Sequence, residues 1–216
     1  MNSRLILKET LLSEIKKFAD NRQINPEYPL TDLMLSPSEV SKIEQITVNL
    51  ESYNPFPRPL FDGINLLQGI WQLHYSTARE IRSLNKLPLG FKLQQVYQII
   101  DTQKASFFNI AFVEHSSKLL KGYVKVTATF APKIAENEVL PKNIINVNFD
   151  KRFISIKKIA GIKTAILDPF KVVKARNPEG RIPSLKVTYI DESLRIGRGG
   201  DGSLFILSKQ EKMINT

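Results

Sequence analysis

The run from Thr188 to Leu207 constrains the fold of this chain most. It reads Thr188-Tyr189-Ile190-Asp191-Glu192-Ser193-Leu194-Arg195-Ile196-Gly197-Arg198-Gly199-Gly200-Asp201-Gly202-Ser203-Leu204-Phe205-Ile206-Leu207. Three short strands joined by two tight turns are predicted. Asp201-Gly202 is a two-residue hairpin signal, because both central residues of such a turn take positive φ. Alternation of period two recurs upstream. In Gly69–Thr77, Trp71, Leu73 and Tyr75 share one predicted face, with Gln72 and His74 on the other. Lys104–His115 reads as a strand apolar in part on both faces. Val124, Val126, Ala128 and Phe130 oppose Tyr123, Lys125, Thr127 and Thr129, and Ile145, Val147 and Phe149 oppose Asn146, Asn148 and Asp150. Leu185, Val187 and Tyr189 repeat the pattern. Strands joined by short turns predict an antiparallel meander, and closing it into a barrel removes its exposed edges.

Residues 1–53 carry a different period. Leu7, Leu11, Ile15 and Phe18 make one helical stripe, with Lys8, Glu9, Glu14, Lys16 and Lys17 away from it. Asn25-Pro26-Glu27-Tyr28-Pro29 ends that helix, because proline disfavours helix at the residue before it. A second helix is predicted from Ser36, with Pro37 at its first position and Glu39 completing a reciprocal cap. The expected organisation is a helical segment over 1–53, a proline-rich linker over 54–67, an antiparallel β-barrel over 68–209 and a tail over 210–216. The stretch 157–183, with Pro169, Pro178, Pro183, Gly161 and Gly180, reads as a loop or flap.

The formal charge is +10, and it is concentrated. Lys151, Arg152, Lys157, Lys158, Lys163, Lys171, Lys174, Arg176, Arg181 and Lys186 face only Asp168 and Glu179 in that segment. Two readings fit: a solvated surface, or a docking face for anionic lipid built by Lys151, Arg152, Lys157, Lys158, Lys163, Lys171 and Lys174. Nucleic acid is not expected, since no recognition motif or aromatic-interleaved basic stretch accompanies the charge. No apolar run approaches the ~20 residues of a membrane-spanning helix. The absence of cysteine excludes disulfides and thiol chemistry. The N-terminus has neither a signal peptide's apolar core nor a transit peptide's composition, so a cytoplasmic protein is expected.

Few residues suggest chemistry. His74 and His115 lack metal-site spacing, and no Ser/His/Asp set is supported by a local motif. No metal, cofactor or catalytic residue is expected. Gly197-x-Gly199-Gly200-x-Gly202 lacks the Gly-Lys-Ser/Thr ending and the following helix of a phosphate loop, and reads as a hairpin. Asp191 suits a turn, or a pairing with Arg195 or Arg198. Phe107, Phe108, Phe112, Phe130, Phe149 and Phe205 lie in predicted strands. They fit plain core packing or the walls of a ~300–1,000 Å³ cavity. The residues proposed to contact a hydrophobic ligand are Trp71, Leu73, Tyr75, Phe112, Tyr189, Arg195 and Phe205.

Three motifs carry a family resemblance. They are Asn54-Pro55-Phe56-Pro57, the run Leu66-Leu67-Gln68-Gly69-Ile70-Trp71-Gln72-Leu73-His74-Tyr75, and the closing pattern from Thr188 to Gly199. With them the chain resembles the plastid lipid-associated proteins, or fibrillins. Gly69-Ile70-Trp71 is similar to the Gly-x-Trp of lipocalins, in which glycine admits a close chain approach and a basic side chain, here Arg195, packs on the indole. The resemblance implies a lipocalin-like fold and non-catalytic binding of lipid, quinone, carotenoid or prenyl lipid. It also implies peripheral association with thylakoids or lipid globules, and a role in photoprotection or plastoquinone metabolism. Without a transit peptide, a cyanobacterial source is expected. Two other functions fit a barrel of this kind: a bilin-binding lyase or chaperone, and a scaffold for a protein partner such as an isoprenoid-synthesis enzyme.

Overall fold

The apolar stripe of the N-terminal segment folds as expected. A computed structural model describes residues 3–134, 140–175, 177 and 180–213, so Met1, Asn2, Arg176, Pro178 and Glu179 lie outside the description. Helix α1 (Ser3–Asp20) buries Leu11, Ile15, Phe18 and Ala19. Helix α2 (Pro37–Glu51) starts with the predicted reciprocal cap: the Glu39 N–H donates to the Ser36 hydroxyl, and the Glu39 carboxylate accepts from the Ser36 N–H. Arg22 locks the two helices together. Its guanidinium donates to the Phe18 and Met34 carbonyls and forks onto Glu39 at 2.6 and 3.1 Å.

Between and after the helices come strand β1 (Leu30–Thr31), helix α3 (Ile64–Leu67), strand β2 (Gly69–Ser76) and helix α4 (Arg79–Leu84). Then follow β3 (Phe91–Asp101), β4 (Ser106–His115), β5 (Leu120–Pro132) and β6 (Ile144–Ile159). The last elements are β7 (Ile162–Lys163), β8 (Lys171–Lys174), β9 (Ser184–Ile190), β10 (Leu194–Gly199) and β11 (Leu204–Gln210). Pairing runs β2-β11-β10-β9-β6-β5-β4-β3, and β3 pairs back onto β2. The ring of eight strands is closed and all its pairs are antiparallel. The β6–β9 joint rests on three register pairs, Ile144↔Lys186, Ile145↔Leu185 and Asn146↔Ser184.

The meander holds except between β6 and β9. There the chain makes a flap: β6 runs past the expected Asp150 to Ile159, and its far half pairs with β7 and β8 rather than with β9. The hairpin between β10 and β11 also differs in detail. Gly202 takes φ +84 but Asp201 does not have positive φ, and the Gly199 N–H donates to the Ser203 carbonyl. This is a three-residue loop with one left-handed position rather than a two-residue turn.

Five bulges interrupt the ladders, two of them between β5 and β6, and three concern the residues read above. Leu207 pairs with Leu73 but Ile206 with Tyr75, so His74 is an extra residue. Gly197 pairs with Val187 but Ile196 with Tyr189, so Thr188 is extra. The third lies between Leu93 and Val96 of β3. A single inserted residue turns every later side chain to the opposite face. Leu73, Val187 and Leu207 therefore face the barrel interior, while Tyr75, Tyr189, Ile196 and Ile206 lie outside it, under α1 and α2. The expectation that Trp71, Leu73 and Tyr75 share one face fails at His74 for this reason, and that for Leu185, Val187 and Tyr189 fails at Thr188.

The Arg22–Glu39 contact makes a pH prediction. The Arg22 guanidinium, helped by the Ser36 N–H, holds the Glu39 carboxyl at about 2, below its ordinary 4.5. A carboxyl lowered by folding contributes stability that is complete above its unfolded value and is lost as pH falls through the folded one. The stability gap between the wild type and Glu39→Gln, measured by urea unfolding, should be full at pH 7 and close between about pH 4.5 and 2.

Candidate functional site

The interior of the ring is built around Trp71, the sole tryptophan, which is completely buried. Its Nε1–H donates to the Leu67 carbonyl at 2.8 Å, so α3 is fixed directly beneath the indole. Leu60 and Leu67 join the interior cluster with Trp71, and Phe56, Ile64 and Leu66 pack against it. The segment after α2 thus stops one end of the barrel. Asn54 secures it there by accepting from the Ile190 N–H at the end of β9. Gly69 earns its place by conformation: it takes φ +114, and a Cβ there would meet only the Lys209 side chain at 3.4 Å. The close chain approach expected at this glycine is therefore not what requires it.

Two cations lie against the indole. The Arg195 guanidinium is 5.0 Å from the ring centroid and the Lys209 ammonium 5.2 Å. Arg195 is almost fully enclosed and donates to the Gln98 side-chain carbonyl. Gln98 in turn donates to Asn109. Among the described residues Arg195 makes no ion pair, and burial pushes it down to about 9. Lys209 is lowered by burial and by the charge of Arg195, and it donates to the Leu66 carbonyl at 2.8 Å. The indole face is the main electrostatic partner left to these cations.

Beside Arg195 lies a cavity of about 30 Å³, lined by Gln98, Ile100, Phe107, Phe130, Val147 and Val187 among others. That is roughly the volume of one water molecule. Of the two readings of the strand phenylalanines, core packing fits this cavity, which is far below several hundred cubic ångströms: among the described residues Phe107, Phe130, Phe149 and Phe205 pack in the interior.

The seven residues expected to contact a ligand divide. Trp71, Leu73, Arg195 and Phe205 face the interior. Tyr75 and Tyr189 face the helices. Phe112 points outward from β4 into an aromatic cluster with Tyr97 and Tyr123. On β4 it shares parity with Phe108 and Ile110, whereas Phe107 and Ala111 point inward. Asp191 pairs with neither Arg195 nor Arg198. It accepts from the Ser193 and Leu194 N–H groups, as a turn residue does, and from Lys8 and the Tyr189 hydroxyl at 2.8 and 2.7 Å. Burial would raise its carboxyl, but these donors outweigh burial and hold it below the ordinary range. Arg198 instead reaches Glu44 and Glu51 on α2. His74, extra in its strand, is half-buried with Nε2 2.7 Å from the Ser208 hydroxyl, and desolvation lowers it.

The second feature is the flap. Lys151, Arg152, Lys163, Lys171 and Lys174 are exposed, and Lys157 and Lys158 are half-buried. None of the seven forms an ion pair among the described residues. No described helix is long and apolar enough to cross a membrane. Sequence reading missed the exposed apolar side chains among these cations, Ile162, Ile166 and Phe170. Their signal was present as isoleucines in a stretch without alternation.

A closed eight-stranded barrel, stopped at one end and bearing a cationic flap, defines a small β-barrel protein of lipocalin-like architecture. The PAP_fibrillin family model matches residues 31–208, and the chain belongs to that family. Plastid-lipid-associated protein 6 of Arabidopsis thaliana is 34% identical over 80% of this chain and 62% of its own length. A chromoplast-specific carotenoid-associated protein of Cucumis sativus is 29% identical over 82% of this chain and 63% of its own length. Plastoglobulin-1 of Pisum sativum is 27% identical over 80% and 55%. The chain therefore spans less than two thirds of the length of these relatives.

Two substitutions check the interior. Trp71→Ala should cost about 3–5 kcal/mol in urea unfolding, the usual range for deleting a buried aromatic. Tyr75→Phe should be neutral or stabilising by up to about 1 kcal/mol. The Tyr75 hydroxyl is buried under the helices with no hydrogen-bond partner among the described residues.

Proposed function

We propose that the protein is a non-catalytic, lipid-associated protein that docks peripherally on an anionic membrane or lipid-globule surface, the thylakoid being the expected one, and serves a structural or photoprotective role there. The observation that carries this reading is the flap: seven basic side chains, mostly exposed and free of ion pairs among the described residues, on the neighbouring strands β6, β7 and β8. A merely solvated surface needs no such concentration of one sign, and mixed charges would serve it better. The names of the relatives, a plastid-lipid-associated protein, a carotenoid-associated protein and a plastoglobulin, agree with it.

A second reading places part of a quinone, carotenoid or prenyl lipid inside the barrel. What favours it is Arg195, an enclosed cation with no carboxylate partner among the described residues, beside a cavity walled mostly by apolar side chains. The about 30 Å³ available means that interior side chains must move before even an end group enters. Mass spectrometry of a solvent extract, from protein purified out of a photosynthetic host, separates the readings. A stoichiometric pigment or prenyl lipid locates the work in the interior; an empty protein leaves it at the surface.

Docking itself is tested by co-sedimentation with vesicles of phosphatidylcholine and phosphatidylglycerol. A lysine near an anionic surface contributes ~1 kcal/mol. Replacing Lys157, Lys158 and Lys163 by glutamine should therefore weaken binding about a hundredfold at low salt. Wild-type binding should fall steeply as salt rises to about 0.5 M. Binding indifferent to both would overturn the electrostatic reading.

A further inference from the structure

The three connections β2–β3, β4–β5 and β6–β9 leave the same end of the barrel, because successive strands alternate in direction. This is the end opposite the Trp71 stopper. Hydrogen bonds join the connections into one rim: the Ser116 N–H donates to the Gly90 carbonyl at 2.9 Å, and the Ala160 N–H to the Leu119 carbonyl at 2.7 Å. Each connection presents a large aliphatic side chain to solvent. Leu89 is 83% exposed, Leu119 56%, Ile162 72% and Ile166 91%.

Backbone geometry adds a second, independent observation. Leu89 sits at φ 61, in the left-handed region that favours glycine or asparagine; Lys118 (φ 60) and Ala160 (φ 50) share it within tight hairpin turns, as Ala105 (φ 46) does at the other end of the barrel. Leu89 bears that strain while its side chain packs against almost nothing in the chain. Strained positions of this kind concentrate where something other than internal packing is served. The charges around the rim are mainly cationic: Lys118, Lys158 and Lys163 make no ion pairs among the described residues. Of the acids at this end, Glu114 is paired with Lys121 at 2.8 Å, Asp168 accepts from the Tyr123 hydroxyl and Asp201 from Ser203, while Glu80 on α4 is exposed.

We infer that this rim is a lipid-inserting edge, in which Leu89, Leu119, Ile162 and Ile166 enter the interfacial layer of an anionic membrane while the surrounding lysines meet its headgroups. The inference rests on the peripheral-docking reading and adds an orientation to it. The barrel stands on its loop end, with the flap against the lipid and the Trp71 stopper facing away. An acidic protein partner would satisfy the lysines but gives no reason for aliphatic tips on three separate loops. Anionic lipid satisfies both, since a basic cluster combined with shallow apolar insertion is the arrangement that makes peripheral attachment stable.

The test uses the full chain and the same phosphatidylglycerol vesicles. Leu89→Asn, Leu119→Asn, Ile162→Ser and Ile166→Ser together leave the net charge unchanged and, being at exposed sites, should leave the thermal unfolding transition in place. Partitioning should weaken at least about tenfold. A separate Ile166→Trp variant provides a depth readout that does not depend on affinity. Its fluorescence should be quenched by vesicles carrying brominated acyl chains, whereas the wild type, with Trp71 buried, should be quenched little. Wild-type binding with undiminished binding of the fourfold variant and no quenching in Ile166→Trp would overturn the inserting edge and leave docking by charge intact. Failure of the wild type to bind anionic vesicles would overturn the docking reading and this inference with it.

Discussion

Strands β9, β10 and β11 are buried on both faces, and the remainder of the structure is arranged around that constraint. One face meets α1 and α2 through Tyr189, Ile196 and Ile206; the other meets the interior through Val187, Ile190 and Leu207. A sheet covered on both sides reads as nearly continuous apolar sequence rather than clean alternation, which is why the closing run is so dense in Leu and Ile. Three of the charged side chains it contains are committed. Asp191 binds the turn and Lys8 of α1, Arg198 binds Glu44 and Glu51 of α2, and Arg195 lies on Trp71. The N-terminal helices are thus pinned to the barrel at both ends of β10.

Asp191 and Arg198 have outward roles and Arg195 an inward one, although sequence spacing suggested pairing them with one another. Residues 191 and 195 lie on either side of a turn, and the bulge at Thr188 changes which face each strand position addresses. Fold class, the α2 cap and most strands were legible because periodicity and capping depend on local residue types. The bulges at His74 and Thr188 were not, since an inserted residue has no compositional mark. Strand β3 escaped notice for the same reason: its Leu93-Gln94-Gln95-Val96 step interrupts the alternation at a bulge.

The flap was half legible. Its charge was plain in the sequence, and the residues proposed to meet a membrane surface lie together on β6, β7 and β8. The extension of β6 beyond Asp150 was hidden because its ladder with β5 slips by one residue at Asp150-Lys151 and again at Lys157, which breaks the alternation. The interior was legible in its chemistry and not in its volume. Aromatic residues in strands fit a full core as well as an open one, and only their packing tells that Phe107 and Phe130 close the space beside Arg195.

The β6–β9 joint gives the ring an uneven stiffness. Most neighbouring strands share longer ladders, but three register pairs complete the circle here and four join β2 to β3. Ile145 and Leu185, which flank this joint, also line the small cavity, as do Val147 and Val187. The shortest ladder of the ring therefore lies beside Arg195, a charged group that lines the same cavity. Swelling of the barrel at this seam would part few hydrogen bonds. In mechanical terms the ring has its most easily opened seam next to its enclosed charge.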